Sequence, residues 1–178
     1  MHGNSWNETD QYAHNSEYQK ITYDYPLVAA RAFTTLPDPP KPFKFIYVSG
    51  EGATTSPGLF TAYFGLIKGR TEAALLALSK DSAYSNLKPF SLRPGGVDPT
   101  FHKEIHPWVP QRSGLLKASE VLLPVFRTVI SGMISPTREL GKVLTELAMG
   151  DGEPLAGNGV EGEGRTITNV GMRRLAGI

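Results

Sequence analysis

Two short apolar runs with room for one helix between them constrain this chain more than anything else in it. The first is Phe43-Lys-Phe-Ile-Tyr-Val-Ser-Gly50 and the second is Pro89-Phe-Ser-Leu-Arg-Pro-Gly-Gly-Val97. Aromatic and β-branched residues dominate the first, as in buried strands. Pro37-Asp-Pro-Pro-Lys-Pro42 cannot continue a helix and delivers the chain to that run in extended form. Between the runs, Phe60, Phe64, Ile67, Ala74, Leu75 and Leu78 recur at helical spacing, and Ser56-Pro57 supplies a capping residue and a first-turn proline, so a helix is expected over residues 57–80. Strand, helix and strand in that order form a βαβ unit with parallel strands near 43–49 and 89–93. Its right-handed crossover puts both carboxyl ends, and with them Ser49-Gly50 and Arg93-Pro-Gly-Gly96, at one sheet edge, where α/β proteins bind ligands.

The rest of the chain fits around that unit. Residues 1–16 lack apolar period and are expected to form a disordered arm, leaving 17–178 as a single α/β domain. From Glu17, the positions Tyr18, Ile21, Tyr25, Val28, Ala29, Ala32, Phe33 and Leu36 recur at three- and four-residue steps, giving a helix that Pro26 kinks. Asp98 to Pro110 is proline-broken and reads as an irregular loop. A kinked helix is expected over 114–130. Ser135-Pro136 then caps a further helix with Leu140, Val143, Leu144 and Leu147 on one face and Gly150 past its end. Arg165 to Val170 is expected as a short edge strand.

Composition excludes several functions. With 18 basic against 17 acidic residues, a net charge of +1 offers no field for nucleic acid. The chain has no cysteine, which rules out disulfides, thiolate metal sites and a cysteine nucleophile. No apolar run approaches the ~20 residues of a membrane span. The opening residues do not have the order of a secretory signal, so the expected location is cytoplasmic.

The segments Phe45-Ile-Tyr-Val-Ser-Gly50, Phe64-Gly-Leu-Ile-Lys68-Gly with Glu72, and Ser91-Leu-Arg-Pro-Gly-Gly-Val97 resemble the C-terminal half of an NAD(P)-binding short-chain dehydrogenase/reductase. Within that superfamily they are most similar to the extended or atypical, sugar-nucleotide-epimerase-like branch. The resemblance implies a partial Rossmann-like doubly wound sheet and an oxidoreductase or epimerase acting on a small carbonyl, hydroxyl or sugar-type substrate with NAD or NADP. It also implies that Lys68 holds the cofactor ribose and that Arg93, Pro94, Gly95, Gly96 and Val97 line the nicotinamide end.

The family's proton-transferring tyrosine stands one helical turn before its lysine. Here that position is Phe64, which has no proton to give. Tyr63 lies about 100° round the helix and could serve only in a shifted register. The family's substrate-holding hydroxyl falls on Ser49 or, one residue later, on Gly50, in which case Thr54, Thr55 or Ser56 would have to supply it. As a plain surface residue, Lys68 would instead pair with Glu72 one turn on.

The glycine-rich βαβ half that cradles the pyrophosphate in that family has no counterpart before Phe43. This is the pattern expected of a truncated member, and it predicts weak dinucleotide binding and self-association through an exposed sheet edge. The alternative is a catalytically inactive relative serving as a ligand- or protein-binding module.

Two motifs carry little chemistry. Gly157-Asn-Gly159-Val-Glu-Gly162 spells G-x-G-x-x-G, but it follows a loop instead of a strand and contains an acidic residue. His102 and His106 are four apart beside Pro107 with no third ligand in sight, so no metal site is assigned.

Overall fold

The computed structural model describes residues 8–36, 41–109 and 131–178. The helix expected over 114–130 lies outside the described residues. The chain is a mixed α/β protein whose main sheet is mostly parallel, with strand order β1-β2-β6-β5. β1 (Phe43–Val48) pairs in parallel with β2 (Leu87–Leu92) in the register Phe43 to Leu87 through Val48 to Leu92. β2 pairs in parallel with β6 (Thr166–Ile167), which pairs antiparallel with β5 (Val160–Glu161). A second two-stranded parallel sheet joins β3 (Gly96–Asp98) to β4 (Ile134–Pro136). No described helix is long and apolar enough to cross a membrane.

Helix α1 (Glu8–Gln19) runs through a π-turn (Lys20–Asp24) into α2 (Tyr25–Phe33). Residues 8–16, expected to form a disordered arm, are therefore helical, as the leading end of a helix anchored further on. Pro26 explains the π-turn. Proline has no N–H and its ring collides with the carbonyl one turn back, that of Thr22. Two hydroxyls approach the Thr22 oxygen, Thr71 Oγ1 at 3.0 Å and Tyr47 Oη at 3.3 Å. The expected kink is thus the place where the helix is tied to β1 and to the crossover helix.

That crossover helix, α3 (Tyr63–Leu78), starts later than the Ser56-Pro57 signal implied. Local bonds hold the preceding stretch out of helix: Thr54 Oγ1 accepts from the Ser56 amide at 3.0 Å and Thr61 Oγ1 from the Gly58 amide at 2.8 Å. Phe60, placed on the buried stripe by periodicity, lies in this loop and is 99% exposed. Phe64 is also largely exposed, and the stripe that packs is Ile67, Thr71, Leu75 and Leu78.

Two apolar clusters cover the two faces of the sheet. Leu27, Ala30, Tyr47, Leu75, Leu78 and Leu87 form one, beneath α2 and α3. Phe90, Leu92, Leu140, Val143, Leu147, Ile167 and Met172 form the other, beneath α4 (Thr137–Met149) and α5 (Asn169–Ala176). α4 bears out the sequence reading of its apolar face, though Leu144 is only partly buried at the cluster's margin. Its first turn is not capped by Ser135, which lies in β4 and bonds elsewhere. The stretch 165–170 is not an edge strand either. Only Thr166–Ile167 is extended, it sits between β2 and β5, and the chain turns into α5 at Asn169. The loop after Val97 contains a short 3₁₀ helix, Lys103–Trp108.

Leu147→Ala should lower unfolding free energy by about 2–5 kcal/mol in urea titrations, the usual cost of a buried leucine truncation. Leu144→Ala should cost less. Equal midpoints for Leu147→Ala and wild type would show that α4 does not seal this face.

Candidate functional site

The carboxyl ends of β1 and β2 meet at one edge, as the crossover requires, with the N-termini of α3 and α5 at the same end. Ser49 follows β1 and donates its amide to the Leu92 carbonyl at 2.8 Å. Its side chain is buried, and its hydroxyl has no hydrogen-bond partner among the described residues. Lys68 approaches from α3. Its ammonium donates to the Val48 carbonyl at 3.1 Å and the Ser49 carbonyl at 3.0 Å, and lies 5.7 Å from the centre of the Tyr47 ring. Ser49 and Lys68 are thus brought together. Burial lowers the Lys68 pKa from its ordinary value, against an opposing pull from Glu72. Gly50 leaves room here, since a Cβ added to it would make only ordinary contact with the lysine stem.

The expected Lys68–Glu72 pair does not form, because Glu72 is taken by Arg93. The guanidinium Nε lies 3.0 and 3.1 Å from the two Glu72 oxygens, and Nη2 closes a second bond at 2.5 Å. Nη1 reaches Glu161 at 3.0 Å. Glu72, first through its hydrogen bonds, raises the arginine pKa further. The turn that follows is similarly engaged. The Pro94 carbonyl accepts from the Glu51 amide at 2.9 Å, and the Gly95 amide donates to Ser135 Oγ at 2.9 Å. A side chain on Gly95 would strike the Met133 carbonyl. Gly96 and Val97 pair with β4, leaving Val97 with 43% of its surface exposed.

Tyr63 points away from Lys68. Its hydroxyl donates to the Asn15 carbonyl at 3.1 Å and its ring lies 6.2 Å from that of Tyr18. Thr54 is engaged in its own turn with Ser56, and Thr55 lines a separate cavity of about 170 Å³ beside Glu72 and Arg93. The two histidines are apart in role: His102 Nδ1 contacts Thr137 Oγ1 at 3.1 Å and His106 Nε2 the Pro99 carbonyl at 3.0 Å. Gly157, Gly159 and Gly162 all have positive φ; Gly157 and Gly159 form turns that pack on α5, Gly159 against Gly171, while Gly162 lies against Thr166 of β6.

Sequence reasoning missed a polar chain that closes this end. The Glu51 carboxylate accepts from the Asn169 amide at 2.6 Å, Ser135 Oγ donates to Asn169 Oδ1 at 2.6 Å, and Asn169 Nδ2 donates to the Gly132 carbonyl at 2.6 Å. A capping residue at Thr168, whose side chain bonds the Gly171 amide, was the only local signal that a helix begins there.

Over 140 residues the chain is 44% identical to botcinic acid biosynthesis cluster B protein 16 of Botryotinia fuckeliana, covering 76% of this chain and 87% of that relative. The chain belongs to that protein's family. A second member-like relative is leucinostatins biosynthesis cluster protein T of Purpureocillium lilacinum, 29% identical over 175 residues. That match covers 88% of this chain and 63% of the relative, so the chain spans less than two thirds of its length. No family model matches, and no solved structure matches.

Two outcomes follow from these contacts. Glu72→Gln strands a half-buried guanidinium and should cost about 3 kcal/mol or more of stability, the range for breaking a buried pair; an unchanged urea midpoint would mean that Glu161 alone suffices. The Tyr47 phenol is pushed up to about 12, chiefly by burial, with the Thr71 hydrogen bond opposing. A raised pKa means that the folded state holds this proton more tightly, so its stabilisation is full below pH 10 and is lost as pH climbs through 12. Tyr47→Phe should flatten that alkaline loss in denaturation midpoints measured from pH 9 to 12.

Proposed function

We propose that the chain is a Rossmann-like member of the short-chain dehydrogenase/reductase type, an NAD(P)-dependent oxidoreductase or epimerase-like protein. Its substrate would be a small carbonyl, hydroxyl or sugar-type compound within a biosynthesis cluster of the kind named for its relatives. One observation carries the reading. Among the described residues the Lys68 ammonium has no carboxylate partner and sits at the carboxyl end of β1 beside a buried Ser49 hydroxyl that has no hydrogen bond. An unpaired buried hydroxyl is costly in isolation and is best accounted for by a ligand oxygen.

These residues fit the nicotinamide-ribose end of such a cofactor. Lys68 uses two of its three donor hydrogens on Val48 and Ser49, which leaves one for a ribose or substrate oxygen. When bound, the cofactor supplies hydride exchange with the substrate carbon. The Ser49 hydroxyl, turned outward, would hold the substrate oxygen. A reduction also needs a proton on that oxygen. Phe64 cannot give one, and Tyr63 could do so only after leaving the Asn15 carbonyl. Arg93 and the Gly95 amide are committed to Glu72, Glu161 and Ser135, so their part is to hold the wall of the site rather than to grip the cofactor. The glycines at 157–162 serve packing, and the described residues offer no cradle for the pyrophosphate.

A second reading is favoured by Phe64 and by the outward Tyr63: a non-catalytic relative that binds a ligand on the same scaffold.

Calorimetric titration with NADPH, NADH and reduced nicotinamide mononucleotide separates these readings. The expected result is weak binding of all three at similar strength, abolished by Lys68→Ala. Binding that Lys68→Ala leaves unchanged, or none by any of the three, would overturn the assignment. If a carbonyl substrate is turned over, Tyr63→Phe should lower the rate by about 10²–10⁴; unchanged turnover would remove tyrosine from the chemistry.

A further inference from the structure

The helix formed by α1, the π-turn and α2 has two apolar faces, and the described residues cover only one. Leu27, Ala30 and Thr34 are buried against β1 and α3. On the opposite side, Ile21 is 54%, Tyr25 53%, Val28 60% and Leu36 71% exposed, and Ala32 is exposed with them. At about 100° per residue, Tyr25, Val28 and Ala32 fall on one line roughly opposite the buried set, and Ile21 continues it through the π-turn. The spacing 25, 28, 32 is three and four, the steps of the seam by which helices pack on one another, and Ile21, four residues before Tyr25 across the wide turn, extends the apolar strip with a shift in phase.

We propose that this seam pairs with the same seam of a second copy, the two helices running antiparallel about a two-fold axis. Charge selects both the occupant and the direction. Asp24 and Arg31 lie on one flank of the seam, both exposed, and neither is ion-paired to a described residue. Antiparallel packing that layers Tyr25 on Val28 of the second copy and Ile21 on its Ala32 sets Asp24 opposite Arg31 of that copy, and the symmetry repeats the pair. Parallel packing would set Asp24 beside Ala29 and leave all four charges unpaired. A two-fold interface needs one surface to be complementary to itself, and the single opposite-charge pair seven residues apart provides that. Pro26 does not interrupt the contact, since it lies off the seam. About three turns of one helix pair make a small interface, so a reversible dimer with a dissociation constant on the order of 10–100 µM is expected. This surface does not depend on the function proposed for the Lys68 site.

Sedimentation equilibrium of the full chain at low salt, over about 5–500 µM to bracket such weak interfaces, tests the pairing. Wild type should show a monomer–dimer equilibrium that Val28→Glu abolishes, with thermal midpoints confirming that the variant is folded. Asp24→Arg alone and Arg31→Asp alone should each weaken the dimer at least about tenfold, the equivalent of 1.4 kcal/mol. The double variant Asp24→Arg/Arg31→Asp should restore it. Three results would overturn the proposal: a monomer at every concentration, a dimer indifferent to Val28→Glu as pairing through the β1 edge would be, or a double variant no tighter than the singles.

Discussion

The ion pair between Glu72 and Arg93 governs the arrangement at the sheet's ligand edge. It bolts the middle of the crossover helix to the end of β2, and through Glu161 it reaches β5 as well. Its further effect is on Lys68. One turn away on the same helix, Lys68 would ordinarily claim Glu72 as its counter-ion. With that carboxylate engaged, the half-buried lysine turns to two backbone carbonyls and has no carboxylate partner among the described residues. Burial lowers the Lys68 pKa, and Glu72, although it is bonded to Arg93, still pulls it the other way.

Much of the fold was legible in the sequence because burial on two faces leaves a strong imprint. β1 and β2 read as short apolar runs and α4 as a periodic stripe, since each must present apolar groups to a sheet or a helix face. Boundaries set by local polar chemistry were not legible. Ser56-Pro57 has the composition of a helix start, but hydroxyls at Thr54 and Thr61 close turns there and delay the helix to Tyr63. Residues 8–16 lack apolar period and yet are helical, because a helix propagates from an anchored segment at less cost than it nucleates. β6 is two residues long, too short to show alternation, and only its neighbours reveal that it lies inside the sheet.

The site was legible in its residue types and not in its bonding. Lys68 and Ser49 do lie together, whereas the arginine and glycines of the 93–97 turn, read as ligand contacts, are held by Glu72, Glu161, Ser135 and β4. No sequence pattern announces that Glu51, on the loop after β1, will cap the helix that starts at Asn169, 118 residues on. That long-range bond, with Ser135 between, ties the last helix of the chain to its first strand, so the carboxyl end of the sheet is closed by side chains drawn from three separate segments.

The π-turn at Lys20–Asp24 acts as a phase gear. A wide turn holds one residue more than an α-helical turn would, and everything before it is rotated by about 100° relative to an uninterrupted helix. The facing of Asn15 toward the Tyr63 hydroxyl, and of Tyr18 toward its ring, is set by that offset. Losing one residue within the turn would leave the helix intact while swinging its first half away from α3. Length at this point is therefore constrained more tightly than the identity of the residues that fill it.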